Sequence, residues 1–177
     1  IGRGLNSYNY KNNLILNAGN SGTLGRLILG LLVHSKKKIK LVGDKSLSKR
    51  DFSRVTEPLK KFGATFYPNK NIKLPLSVIG SKFTKPINYV EDRGSAQCKS
   101  SIMLAALNTP GITSIKAKKS RNHTELLFKY LKVPIKIKKG TKYDFIKIEG
   151  GKEIKSFNYT IPADISSSAF FIVLTAL

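Results

Sequence analysis

The sequence predicts an α/β fold of the α+β kind, built from a repeated β-α-β-α-β-β unit. Three observations lead there. Helix-period apolar stripes alternate along the chain with short strand-like runs. Small polar turns open the helices, at Gly19-Asn20-Ser21-Gly22-Thr23 and again at Gly94-Ser95-Ala96-Gln97. The pattern recurs after roughly 70 residues, with Arg50-Asp51 and Arg121-Asn122 at matching places just before the second helix of each unit. Such units cannot bury their helices singly and are expected to pack them together.

Taken in order, the first turn leads into a helix carrying Leu24, Leu27, Ile28, Leu31 and Leu32. A strand is expected over 38–42, with Ile39 and Leu41 on one face, and Gly43-Asp44 breaks it. A second helix fits 52–62, because Phe52, Val55, Leu59 and Phe62 are spaced three or four apart, and Gly63 ends it as a C-cap residue. Short strands fit 64–67, 74–79 and 87–90. The next polar turn opens a helix with Ile102, Leu104, Ala105 and Leu107, stopped by Asn108-Thr109-Pro110-Gly111. A strand at 112–117 and a helix at 122–131, with Leu126, Leu127, Tyr130 and Leu131, follow. Strands are then expected at 133–137, 145–148 and 159–161, and Asp164-Ile165-Ser166-Ser167-Ser168 opens a last helix. No Pro/Ser-rich linker intervenes, so no internal domain boundary is expected before about Pro162. The chain opens on Ile1, not Met, and stops inside an apolar stripe, Phe170 to Leu177, so an interior piece of a longer protein is expected.

Composition narrows the function. Apolar residues are 41% of 177, enough for a core, and no run reaches the ~20 residues of a membrane span. With no signal-peptide ramp at the start, a cytoplasmic protein is expected. Cys98 is the lone cysteine, and His34 and His123 stand without ligand spacing, so neither a disulfide nor a metal site is expected. The net charge of +22 invites a nucleic-acid reading. Against it, arginine occurs only at positions 3, 26, 50, 54, 93 and 121, and the lysines are scattered, with Lys36-Lys37-Lys38 reading as a solvated turn. A basic nucleic-acid-binding protein is therefore the alternative, not the leading reading.

The loop from Asn17 to Arg26 carries the chemistry. Glycines let backbone N–H groups approach a ligand, and a helix N-terminus adds unpaired donors and partial positive charge. Arg26 lies one turn inside and is placed to reach back. This suits a phosphate or carboxylate. The spacing is neither a Walker loop nor a dinucleotide fingerprint. Ser95-Ala96-Gln97 and Ser166-Ser167-Ser168 begin later helices in the same manner, so three N-termini are expected to converge on one anionic ligand, with Arg50 and Arg121 at strand-to-helix junctions as forks. The plain alternative is three capped helices without a ligand.

Five motifs in order resemble the 5-enolpyruvylshikimate-3-phosphate synthase family: Asn20-Ser21-Gly22-Thr23 with Arg26-Leu27, Gly43-Asp44 through Lys49-Arg50, Gly94-Ser95-Ala96-Gln97 with Lys99-Ser100, Ser120-Arg121-Asn122-His123-Thr124-Glu125, and Pro162-Ala163-Asp164-Ile165-Ser166-Ser167. The resemblance implies inside-out α/β barrel domains of three such units each, with residues 1–161 as most of one domain (the end of one unit and two complete units) and 162–177 as the crossing and first helix toward the other domain. It implies phosphoenolpyruvate bound by Asn20, Gly22, Thr23, Arg50 and Gln97. It implies shikimate 3-phosphate bound by Ser95, Ala96, Gln97, Ser120 and Arg121. No catalytic acid or base, metal or organic cofactor is implied within the chain, and the full-length protein is expected to be a monomer with no specific nucleic-acid or membrane partner. Gly22 stands where glyphosate-insensitive members often carry alanine. Four positions depart from the family's habit: Ala96 for a second serine, Asp51 for proline, Ala163 for glycine and Asn122 for an acid. Asp51 is expected to N-cap the following helix. Same-fold alternatives are the enolpyruvyl transferase acting on UDP-N-acetylglucosamine and the RNA 3′-phosphate cyclases.

Overall fold

The computed structural model describes residues 13–68, 71–161 and 165–176. Its first unit runs β1 (Leu14–Asn17), α1 (Gly22–Leu32), β2 (Ile39–Val42), α2 (Ser53–Lys61), β3 (Thr65–Tyr67) and β4 (Leu76–Ile79). Its second runs β5 (Asn88–Glu91), α3 (Ala96–Leu107), β6 (Gly111–Lys118), α4 (His123–Tyr130), β7 (Ile135–Lys139) and β8 (Tyr143–Gly150). A further helix, α5, spans Ile165–Ala176. The two sheets have the same topology, β1-β2-β4-β3 and β5-β6-β8-β7. In each, the first pair is parallel and the other two are antiparallel. The repeat legible in the sequence is thus a repeat of strand order. The end of a preceding unit, expected before the first turn, falls on residues 1–12, outside those described.

Local chemistry explains the boundaries. The Ser21 and Ser95 hydroxyls accept from the N–H groups of Leu24 and Cys98 and cap α1 and α3. Gly63 ends α2 at φ +107°, a conformation that favours glycine. Phe52, Val55, Leu59 and Phe62 are all fully buried on one face of α2. In β2, Ile39 and Leu41 face inward and Lys40 faces solvent.

The helices pack on one another, and α3 is central. It touches α1, α2 and its own sheet, and it has no polar face. Even Lys99, Ser100 and Ser101 are buried. Gly30 makes the closest approach: a Cβ there would lie 2.1 Å from the Ser101 carbonyl oxygen. Ser101 Oγ donates to the Arg26 carbonyl at 2.9 Å, and His34 Nε2 lies 2.9 Å from the Ala105 carbonyl. These contacts climb both helices in the same sense, so α1 and α3 run parallel.

Three expectations are corrected. The buried face of α1 is Gly22, Gly25, Leu29, Gly30 and Leu32, while Leu24 is 49% exposed. The close helix contact demands glycine there, which an apolar stripe does not reveal. In α4, Leu126, Leu127 and Tyr130 are exposed, and Glu125 and Phe128 are buried instead. Residues 159–161 form no strand; the Tyr159 ring packs edge-on against Tyr130 at 5.5 Å between centroids.

The outer face of the second sheet gathers Lys116, Lys136, Lys138 and Lys147 around Phe145. Lys136 and Lys147 stand directly opposite each other across β7 and β8, where like charges repel. Lys147→Glu should therefore stabilise the protein by about 0.5 kcal/mol at low salt. Denaturation midpoints would check this, and the gain should shrink at high salt. Helix α5 exposes Phe171, Ile172, Val173 and Leu174. Among the described residues, no helix is long and apolar enough to cross a membrane.

Candidate anion-binding site

In both units the site residues leave the carboxyl ends of the parallel strands, where α/β sheets present ligands. After β1, Ser21 caps α1 and Gly22 begins it. After β2, a 3-10 turn at Leu47–Lys49 ends on Arg50. Asp44 ties these two loops together. Its carboxylate accepts from the Leu47 N–H at 2.7 Å and from the Asn20 amide, while its own N–H donates to the Gly19 carbonyl at 2.9 Å. These bonds, led by that from Leu47, hold the Asp44 carboxyl below the usual carboxylate range.

Arg50 closes on Gly22. A Cβ at Gly22 would lie 3.1 Å from Arg50 Nη1 and 2.9 Å from Arg26 Nη1. Arg26 reaches back, as its position one turn inside predicts, and donates to the Gly22 carbonyl at 3.3 Å. Its guanidinium also stacks over Phe52 at 5.2 Å. Burial and then the charge of Arg50, with a smaller effect of Arg54, lower its pKa. Two arginines crowded on the first residue of a helix, with Arg54 nearby, form a cationic centre that repels itself and that an anion would relieve.

The second unit joins this centre through Gln97. Its Oε1 accepts from Arg26 Nη1 at 3.1 Å and its Nε2 donates to Thr23 Oγ1 at 2.8 Å. Because α1 and α3 are parallel, both N-termini open at the same end. Ser95 is held from below: buried Glu91 accepts from the N–H of Ser95 at 3.0 Å and of Arg93 at 3.3 Å. Ser120 and Arg121 follow β6 in the loop that leads to α4. The Ser120 hydroxyl is buried and has no hydrogen-bond partner among the described residues.

Of the residues expected to bind ligands, Asn20, Gly22, Thr23, Arg50 and Gln97 are brought together directly or through Arg26 and Asp44. Ser95 and Ala96 open α3 beside Gln97, and Ser120 and Arg121 open the adjacent loop. Of the third N-terminus, residues 162–164 and the side chains of Ile165, Ser166 and Ser167 lie outside what is described. The expectation that Asp51 N-caps α2 is corrected: it stands one residue too early, Phe52 holds the N-cap position, and the Asp51 carboxylate accepts instead from the Ser53 N–H at 2.9 Å. Sequence reasoning missed Glu91 and gave Lys99 and Glu125 no role beyond their place in the motifs. Their signal was faint: an acid ending a strand, and two ions inside otherwise apolar stripes. Burial raises the pKa of the Cys98 thiol, the reverse of an activated nucleophile. Among the described residues, no three His, Cys, Asp or Glu side chains cluster to hold a metal.

Comparison with known proteins agrees with the fold. A family model for EPSP synthase (3-phosphoshikimate 1-carboxyvinyltransferase) matches residues 1–177. The chain is 39% identical to the 3-phosphoshikimate 1-carboxyvinyltransferase of Desulforamulus reducens, with 92% of this chain and 37% of the relative covered. It is 44% identical to that of Caldicellulosiruptor bescii, covering 92% and 38%. The EPSP synthase structure from Acinetobacter baumannii superposes with a TM-score of 0.77 at 36% identity, over 90% of this chain and 36% of that one. The chain thus spans well under half the length of these relatives. With a family model matched along its whole length and a solved relative of the same fold, the chain belongs to the EPSP synthase family.

Proposed function

We propose that this chain supplies the anion clamp of a cytoplasmic, monomeric enzyme that transfers the enolpyruvyl group of phosphoenolpyruvate to shikimate 3-phosphate. The observation that carries the reading is the pair of guanidinium groups, Arg26 and Arg50, set against Gly22 where α1 begins. Gly22, Asn20, Thr23, Arg50 and Gln97 would receive phosphoenolpyruvate. Ser95, Ala96, Gln97, Ser120 and Arg121 would receive shikimate 3-phosphate. The 5-hydroxyl gives up its proton as its oxygen bonds to C2 of phosphoenolpyruvate and C3 takes a proton, forming a tetrahedral adduct; the C2–O bond to phosphate then breaks as C3 returns a proton and the double bond re-forms. Both substrates are multiply anionic, so fixed cations and helix N-termini would hold them in reacting geometry and offset their mutual repulsion. No metal or organic cofactor is part of this scheme.

Four of the acids near the site are engaged elsewhere. Asp44 and Asp51 accept backbone N–H groups, Glu91 holds the loop before α3, and Glu125 pairs with Lys99. We therefore assign proton transfer to groups outside this chain and expect the 177 residues alone to be inactive.

The test is phosphate release and product formation by the full-length protein given both substrates; no release would overturn the reading. Gly22→Ala refines it. The new methyl would meet the ends of Arg26 and Arg50, which must then shift. The KM for phosphoenolpyruvate should rise about 3- to 10-fold, a loss of ~1 kcal/mol. Inhibition by glyphosate should weaken as well. If neither the KM nor the inhibition curve moved, Gly22 would have no part in the site.

A further inference from the structure

Lys99 and Glu125 form an ion pair, 2.6 Å between Nζ and Oε1, with side chains only 2% and 6% exposed. Neither group can touch a ligand in bulk solvent, and the positive charge of Lys99 is already neutralised. Lys99 has a second partner: Nζ donates to the Arg121 carbonyl at 2.9 Å. Beside it, Ser100 Oγ and Thr124 Oγ1 are 2.6 Å apart. Lys99 starts one turn into α3, four residues after the Ser95 cap, and Glu125 lies in the first turn of α4, where an acid is favoured by the helix dipole. The loop between β6 and α4 is thus fastened to the helix start that opens on the site. On this loop sits the buried Ser120 hydroxyl that has no partner among the described residues.

We infer that the Lys99–Glu125 pair is a positioning device. It fixes the Arg121 carbonyl, and through it the Ser120 hydroxyl and Arg121 guanidinium, at the distance from the α3 N-terminus at which one phosphate group is gripped from both sides. The inference rests on the proposed assignment of shikimate 3-phosphate to these loops and adds the residues that set their spacing. Lys99 and Glu125 would act on the ligand only through Ser120 and Arg121.

The experiment compares dissociation constants of shikimate and shikimate 3-phosphate in the full-length protein, because their ratio isolates the grip on phosphate. Lys99→Met strands the Glu125 carboxylate in the core and should lower stability as well as phosphate preference. The double variant Lys99→Met/Glu125→Met removes both charges, and replacing a buried pair by apolar groups of similar size is often neutral for stability. It still leaves the Arg121 carbonyl unheld. The double variant should fold with a wild-type melting temperature, yet lose about tenfold of the preference for the phosphate ester. If its preference equals that of the wild type, the pair is structural filling and the inference is overturned. Should the wild type show no preference for the phosphate ester, the functional reading fails instead. Hydrogen exchange on the wild type gives an independent check. Amides of 95–98 and 119–122 should gain protection together when shikimate 3-phosphate binds; protection confined to one segment would overturn the coupling.

Discussion

Replacing Arg50 by alanine in the full-length protein should raise the KM for phosphoenolpyruvate about 10- to 100-fold, as loss of a charge-assisted hydrogen bond requires. The fold should not suffer. Arg50 makes its backbone bond to the Leu47 carbonyl whatever its side chain, and its guanidinium lies against that of Arg26, whose pKa it depresses. Removing it relieves a like-charge contact, so the melting temperature should hold or rise slightly. Function and stability would then move in opposite directions, as expected where a site stores repulsion for its ligand. Arg50→Lys should recover only part of the loss, because an ammonium cannot offer the guanidinium's planar fork. Arg26→Ala should behave differently. Arg26 also holds Gln97 and stacks on Phe52, so its loss would loosen the joint between the units and lower stability. An unchanged KM in Arg50→Ala would remove that residue from the site.

What the sequence made legible was whatever depends on local chemistry. Serine caps, the Gly63 stop, the α2 stripe and the recurrence of the unit all follow from neighbours in the chain. What it hid depends on partners far away in sequence. Leu24 reads as core because it continues an apolar period, yet the face that packs is the glycine face, whose merit is the absence of a side chain. Nothing near Glu125 in the chain announces that it is buried, since Lys99 neutralises it from another helix. Helix α3 shows no usable period because it is buried all round, and its ions and hydroxyls are satisfied one by one. The site follows the same division. The residues named as ligand contacts sit on turns that motif spacing reveals, whereas Asp44 and Glu91 act by gripping backbone N–H groups, which no spacing rule announces.

The second large effect should come from a residue that touches no ligand. Gly30→Ala places a methyl 2.1 Å from the Ser101 carbonyl oxygen and 2.9 Å from its carbon, and backbone cannot swing aside as a side-chain end can. Alanine would favour the helix by roughly 1 kcal/mol over glycine. Against that, forced overpacking costs about 1–3 kcal/mol and more where backbone must move. Overpacking should win, so a lower denaturation midpoint is expected. The functional trace is more telling. Pushing α1 from α3 stretches the bonds that Gln97 makes to Thr23 and Arg26, 2.8 and 3.1 Å long, and the bond from Ser101 to the Arg26 carbonyl. Since Gln97 belongs to both proposed subsites, the KM values for phosphoenolpyruvate and shikimate 3-phosphate should rise together, unlike the one-sided change from Arg50→Ala. A Gly30→Ala protein that kept both KM values while losing stability would show that the helix contact supports the fold alone, and that each unit aligns its own ligand without help from the other.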